Sequence, residues 1–241
     1  VNGTANLDVV DIDGAVDMAS TLTVAGIIDV AEYLKHTGDT DTHIRFSAND
    51  AIEITAGNVK MMRFLEDDSQ DMVVINEDSA DIDFRVESNN NANMFFVDGG
   101  NDKVSIGIGS SDGTLHVHSA SAGSVSANAN ADDLVVENSG IGGISILTPD
   151  ANSARLYFGS ASDNDYGRII GNYNSGSPYL TLRTSVADTL VITSGGQVAI
   201  GTTTASNVLH IEADSGDEGL TVHSAGDTAN AVILDANRSG A

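Results

Sequence analysis

One fourteen-residue pattern occurs twice in the chain, and that repetition narrows the folds open to it. Val104-Ser-Ile-Gly-Ile-Gly-Ser-Ser-Asp-Gly-Thr-Leu-His-Val117 returns without a gap as Val198-Ala-Ile-Gly-Thr-Thr-Thr-Ala-Ser-Asn-Val-Leu-His-Ile211. Both copies read Val-x-Ile-Gly, seven residues, then Leu-His and a β-branched residue. Gly-Gly pairs precede them at Gly99-Gly100 and Gly195-Gly196. Self-similarity at this scale marks a repeat architecture, in which each unit stacks on the next, rather than one ordinary globular core.

The surrounding residues read as short strands. His43-Ile-Arg-Phe46 sets Ile44 and Phe46 on one face and Arg45 on the other, and Ala51-Ile-Glu-Ile-Thr55 does the same with Ile52 and Ile54. Val59–Leu65, Met72–Ile75, Ile82–Val86 and Met94–Val97 continue the period of two, which implies one buried and one wet face. Asn, Asp, Gly and Ser clusters separate them, as in an all-β fold. Leu7–Gly14 and Leu22–Gly26 read as further strands, and Ile27–Lys35 as a short helix with Ile28, Ala31 and Leu34 on one stripe. After the loop 119–131 the order recurs. Leu134-Val-Val136 matches Leu220-Thr-Val222, Ile144-Ser-Ile146 matches Val232-Ile-Leu234, and Arg155-Leu-Tyr-Phe158 takes the slot of His43–Phe46. The expected organisation is an Asp-rich β-repeat segment (1–35), a first β-module (36–131), a second (132–218) and the start of a third (219–241). The chain, opening at Val1 and closing inside a pattern, is expected to be a segment of something longer.

Each strand offers one narrow apolar face, which a slender chain cannot cover alone. Several identical chains wound together solve this, and three-fold closure is one symmetric solution. The expected fold is therefore an all-β, elongated repeat fibre of short strands, an intertwined homotrimeric shaft of β-helix or β-prism type.

Charge excludes several functions. Asp and Glu number 35 against 10 Lys and Arg, a net charge of −25. No basic cluster exists to displace counterions from phosphates, so nucleic acid is not an expected partner. Anionic membrane surfaces would repel the chain, and no apolar run approaches the ~18 residues of a membrane-spanning helix. With no Cys there is neither a disulfide framework nor a thiolate metal site.

A family resemblance enters at these residues. Val191-Ile-Thr-Ser-Gly-Gly-Gln-Val-Ala-Ile-Gly-Thr-Thr203 resembles a repeat of bacteriophage tail-fibre proteins of the form Arg-Ile-x-Ser-x-Gly-x-Val-Gly-Ile-Gly-Thr. Leu156–Gly159, Asp163–Ile169 and Leu180–Arg183 resemble the strands that precede it there. His36–Phe46, Asp81–Ser88 and Val97–Val104 are similar to fibres of marine phages. The likeness spans roughly residues 36–118 and 154–211. It implies a homotrimeric shaft on a virion tail, extracellular, with other tail proteins and a host cell-surface glycan or protein receptor as partners. Members often end in a self-cleaving intramolecular chaperone, which has no counterpart here. Two departures stand out: the proline that follows the motif is replaced by Asp112 and Ala205, and the glycine before Ile by Ser105 and Ala199.

Candidate chemistry is sparse. Ile106-Gly-Ile-Gly109 lacks the helix and Lys-Ser/Thr pair of a phosphate cradle and reads as a turn. His116 and His118 share a strand face and are the candidate metal ligands, but Glu212 replaces the second His in the other copy. The favoured reading places His116 and His210 on the wet face. Asp8, Asp11, Asp13, Asp17 and Glu66-Asp67-Asp68 offer carboxylates without the ligand spacing of a calcium loop. Tyr157, Tyr166, Tyr173 and Tyr179, with Asp163 and Asp165, are the candidate glycan contacts, since aromatic rings beside polar groups suit sugars. No cofactor and no catalytic residue is expected. The expected function is structural and adhesive. A tailspike-like polysaccharide depolymerase and a non-viral extracellular adhesin are the alternatives.

Overall fold

Alternating residues and Gly/Asn/Asp turns yield three sheets of short strands. The structure, a computed structural model, describes residues 12–173, 176–184 and 187–212. Among these no α-helix forms, and the chain is all-β. It divides between Gly142 and Gly143 into two compact units, the first holding two sheets and the second one.

The first sheet is a meander of β1 (Tyr33–Lys35), β2 (His43–Ala48), β3 (Ala51–Ala56), β4 (Val59–Leu65) and β5 (Met72–Ile75), antiparallel throughout. One of its two-residue turns is Gly57-Asn58, with φ of +57° and +63°. Positive φ at both central residues is the two-residue turn whose twist matches flanking strands. At the six-residue β4–β5 turn, Asp67 accepts bonds from the Ser69 amide and hydroxyl at 3.0 and 2.7 Å. Those bonds hold its carboxyl below the usual range.

The second sheet contains β6 (Phe84–Val86), β7 (Phe95–Asp98), β8 (Lys103–Ile106), β9 (Leu115–His118) and β10 (Leu134–Glu137). β6, β7 and β8 are antiparallel, whereas β8, β9 and β10 run parallel. The third runs β11 (Ser153–Phe158), β12 (Gly167–Asn172), β13 (Tyr179–Thr184), β14 (Ala187–Ile192), β15 (Val198–Ile200) and β16 (Leu209–Ile211). It is antiparallel until β15 and β16, which are parallel.

Three expectations are corrected. No helix covers 27–35; Tyr33–Lys35 pairs with β2 instead. Glu32 anchors that edge, its carbonyl accepting from the Phe46 amide at 2.7 Å and its carboxylate meeting Arg45 at 2.9 Å. A nine-residue helix without caps does not match such a ladder. Leu22–Gly26 and Ile144–Ile146 form no strand within the chain. Most of Leu7–Gly14 and the third module lie outside the described residues.

Cross-strand register shows which residues share a face, and in each sheet one face rich in large aliphatic side chains is left open. In the third sheet, Leu156, Ile169, Leu182, Leu190, Ile200 and Ile211 form one row, and Ala154, Gly171, Leu180, Ile192, Val198 and Leu209 the next. This aliphatic face is open: Leu156 is 49% exposed, Leu182 42% and Leu209 54%. The opposite face carries Ile170, Thr181, Val191 and Ala199, all buried. The first sheet repeats the arrangement. Leu34, Ile44, Ile52 and Phe64 are exposed, while Ala51, Glu53 and Thr55 are buried. Glu53 lies between Arg45 and Arg63, at 4.0 and 3.8 Å. In the second sheet Phe84, Ile106, Leu134 and Val136 are exposed, and Phe96, Ser105 and His116 are buried.

Candidate functional site

The repeated motif forms the same structure twice, a parallel step. Val104, Ser105 and Ile106 pair with Leu115, His116 and Val117; Val198, Ala199 and Ile200 pair with Leu209, His210 and Ile211. Parallel neighbours ordinarily need a crossover of a dozen or more residues. Here residues 107–114 and 201–208 suffice, because each connector folds back over the buried face of its own sheet.

Four contacts hold that connector. Gly107 and Gly201 have φ of +93° and +76°. A Cβ at either would overlap the carbonyl oxygen of the residue eleven positions on, His118 or Glu212, so both the conformation and the space require glycine. The residue before Val reaches across the loop: Lys103 Nζ donates to the Ser111 carbonyl at 2.8 Å, and Gln197 Nε2 to the Ala205 carbonyl at 3.3 Å. Ser105 and Ala199 lie beneath the connector, 1% and 0% exposed. A small residue is needed there, and Ser and Ala both meet that need. Finally, the Asp112 amide donates to His116 Nδ1 at 3.3 Å, and Ser206 N lies 3.4 Å from His210 Nδ1.

His116 is thus a loop clasp, which corrects its placement on the wet face, while His210 is half-buried, with the Thr204 carbonyl 3.0 Å from its Nδ1. His116 is 1% exposed, because the connector covers that side of the sheet. With Nδ1 accepting, the proton lies on Nε2, which sits 3.1 Å from Glu137 Oε2 but off the N–H axis. The contact is therefore electrostatic rather than an aligned hydrogen bond. His118 Nε2 lies 3.9 Å from the same oxygen, and the imidazoles meet edge to face at 5.7 Å. Glu137 Oε1 accepts from the Ala122 amide at 2.6 Å. That bond foremost, with His118 and His116 adding to it against the opposing cost of burial, holds the Glu137 carboxyl below its ordinary value. Both imidazoles turn toward one carboxylate oxygen, and among the described residues no group of three acidic or histidine side chains is arranged to hold a metal ion. Asp13 and Asp17 are exposed; Asp8 and Asp11 lie outside the described residues.

The structure divides the candidate glycan residues between two ends of the third sheet. Tyr157, Tyr166, Asp163 and Asp165 lie around the β11–β12 turn. There Arg168 pairs with Asp165 at 2.5 Å and stacks 5.5 Å from the Tyr157 ring centre, while Arg155 donates to the Tyr157 hydroxyl at 2.6 Å. Tyr173 and Tyr179 lie at the other end, a six-residue strand or about 17 Å away. They line an open cleft of about 510 Å³ with Asp150, Asn152, Arg155 and Asn172. The sequence reading missed the last four. Asp150 and Asn152 reach the cleft through the turn before β11, where the Asn152 amide donates to the Pro149 carbonyl at 2.8 Å.

Compared with known proteins, the chain matches no family model and no curated sequence.

Proposed function

We propose that this chain is a structural and adhesive segment of a phage tail fibre, in which three copies wind into a shaft that carries a host-receptor contact. The observation that carries the reading is the open aliphatic face of all three sheets. Each buries one face within the chain and leaves the aliphatic rows of the other face open. In the third sheet alone Leu156, Phe158, Ile169, Leu180, Leu182, Ile192, Leu209 and Ile211 are 36–54% exposed. Covering that remainder gains about 0.6–1.2 kcal/mol per side chain, or about 5–10 kcal/mol per chain. Soluble monomers rarely leave so continuous an apolar surface open, and identical copies present the matching surface. The tail-fibre resemblance of the repeats supplies the count of three and the location on a virion.

The cleft at Tyr173 and Tyr179 is the surface best suited to a receptor glycan, with rings for stacking and amides for sugar hydroxyls. Asp150 is the one carboxylate among its described lining residues. Glycoside hydrolysis uses two, so the cleft reads as a contact rather than a depolymerase centre. Antibodies raised against the chain are expected to label the tails of phage particles. Labelling of cell envelopes alone would replace the proposal with a cellular adhesin, and release of reducing ends from capsular polysaccharide would replace it with an enzyme.

A further inference from the structure

Residues 139–148, Ser-Gly-Ile-Gly-Gly-Ile-Ser-Ile-Leu-Thr, have a strand pattern but no sheet. Ile141 is fully exposed, Ile144 68%, Ile146 50% and Leu147 90%. Among the described residues, two backbone groups of 139–147 have partners, both on the adjoining Asn138 side chain, which accepts from the Gly140 amide and donates to the Ile141 carbonyl at 3.3 Å. The segment ends cleanly at Pro149, as a strand before proline does.

We infer that residues 139–148 are strands paired between copies of this chain, each lying beside the same segment of a neighbouring copy. Backbone donors and acceptors in a regular segment find partners, and the described residues supply them only at Gly140 and Ile141. The occupant follows from three observations. The segment has no charged residue in a chain of net charge −25, so identical copies can stack without repulsion. In-register copies set Ile144 against Ile144 and Ile146 against Ile146, which an unrelated strand does not. Ile146 and Leu147 line a cleft of about 630 Å³ with Leu180 and Ile192, so they continue the open aliphatic face of the third sheet. Residues 12–31 have a similar exposed pattern but carry Asp13, Asp17 and Asp29. In-register copies would superpose those charges, so the inference is confined to 139–148. It rests on the homomeric assembly proposed above.

Native cysteine is absent, which makes the test direct. With one thiol per chain, any disulfide in Ile144→Cys joins two copies. In-register parallel neighbours lie about 4.8 Å apart, within disulfide reach. Mild oxidation is expected to convert up to two-thirds of chains to dimers, the third thiol of each trimer remaining free, while Asn164→Cys at the β11–β12 turn stays reduced. Hydrogen exchange on the unmodified protein provides the second readout. Amides of 141–147 are expected to exchange at least ~100-fold more slowly than in the free peptide, the protection of a paired strand. An assembled protein with smaller protection, or with Ile144→Cys no more cross-linked than Asn164→Cys, overturns the inter-chain strand and leaves the shaft intact. A monomer overturns both.

Discussion

Substituting Gly107 with alanine tests the parallel step at its tightest point. Two costs add there. Alanine at φ +93° carries backbone strain of about 1–3 kcal/mol. Its Cβ would also overlap the His118 carbonyl oxygen, a backbone atom held in the β9–β10 ladder rather than at the end of a flexible side chain. Relief requires moving that ladder or the Gly107 amide, which donates to the Asn93 carbonyl at 2.9 Å. Loss of one or two such bonds costs about 0.5–1.5 kcal/mol each. The total expected for Gly107→Ala, and equally for Gly201→Ala, is about 2–5 kcal/mol. Two glycines separate the terms. Gly123 has φ of +104° with open space around its Cβ position, so Gly123→Ala isolates strain, about 1–2 kcal/mol. Gly26 has neither a positive φ nor a neighbour, and Gly26→Ala is expected to be neutral or to stabilise by up to ~1 kcal/mol. Denaturant unfolding of the four variants at one fixed protein concentration gives the ranking. If Gly107→Ala and Gly201→Ala cost no more than Gly123→Ala, the connector does not close over the strand as described.

Three further outcomes are expected. Leu182→Glu on the open aliphatic face should leave the single chain folded but prevent assembly, because a carboxylate at an apolar interface costs about 3 kcal/mol or more per copy; Ser162→Glu, in an exposed loop, should assemble normally by light scattering. Ser105→Val should overpack the space beneath the connector and cost about 1–3 kcal/mol in a denaturant titration, more than the same change at exposed Ser139. The Glu137 carboxyl is lowered in the fold, so its stabilisation is complete above its ordinary value of 4.5 and is lost as pH falls below it. The stability difference between wild type and Glu137→Gln should therefore shrink as pH falls through the lowered carboxyl range; a difference that persists undiminished at the acid end of that range refutes the assignment.

Period-two alternation located most strands, and register kept Ile44 with Phe46 and Ile52 with Ile54 on the expected common face. What the pattern left open was which face the chain covers. A period states that two faces differ, whereas burial depends on where connectors fold. At His116 the two readings diverged completely, because residues 107–114 return over its side of the sheet. A clue was present in both copies: a histidine four residues after a connector position, opposite a small residue, Ser105 or Ala199. Lys103 and Gln197 escaped notice since unlike side chains make the same contact. Parallel pairing was also hidden, for nothing in a short β-pattern states strand direction. The tyrosines looked clustered because sequence proximity ignores that β12 carries the chain from one end of the sheet to the other. Their partners Asn152 and Asn172 become neighbours only through register.

The central claim is that identical copies cover the open aliphatic faces. Sedimentation equilibrium of the purified chain at micromolar concentration tests it most directly. The account predicts a single species of three times the 24.8 kDa chain mass, with Leu182→Glu reduced to one. A wild-type chain that sediments at 24.8 kDa contradicts it.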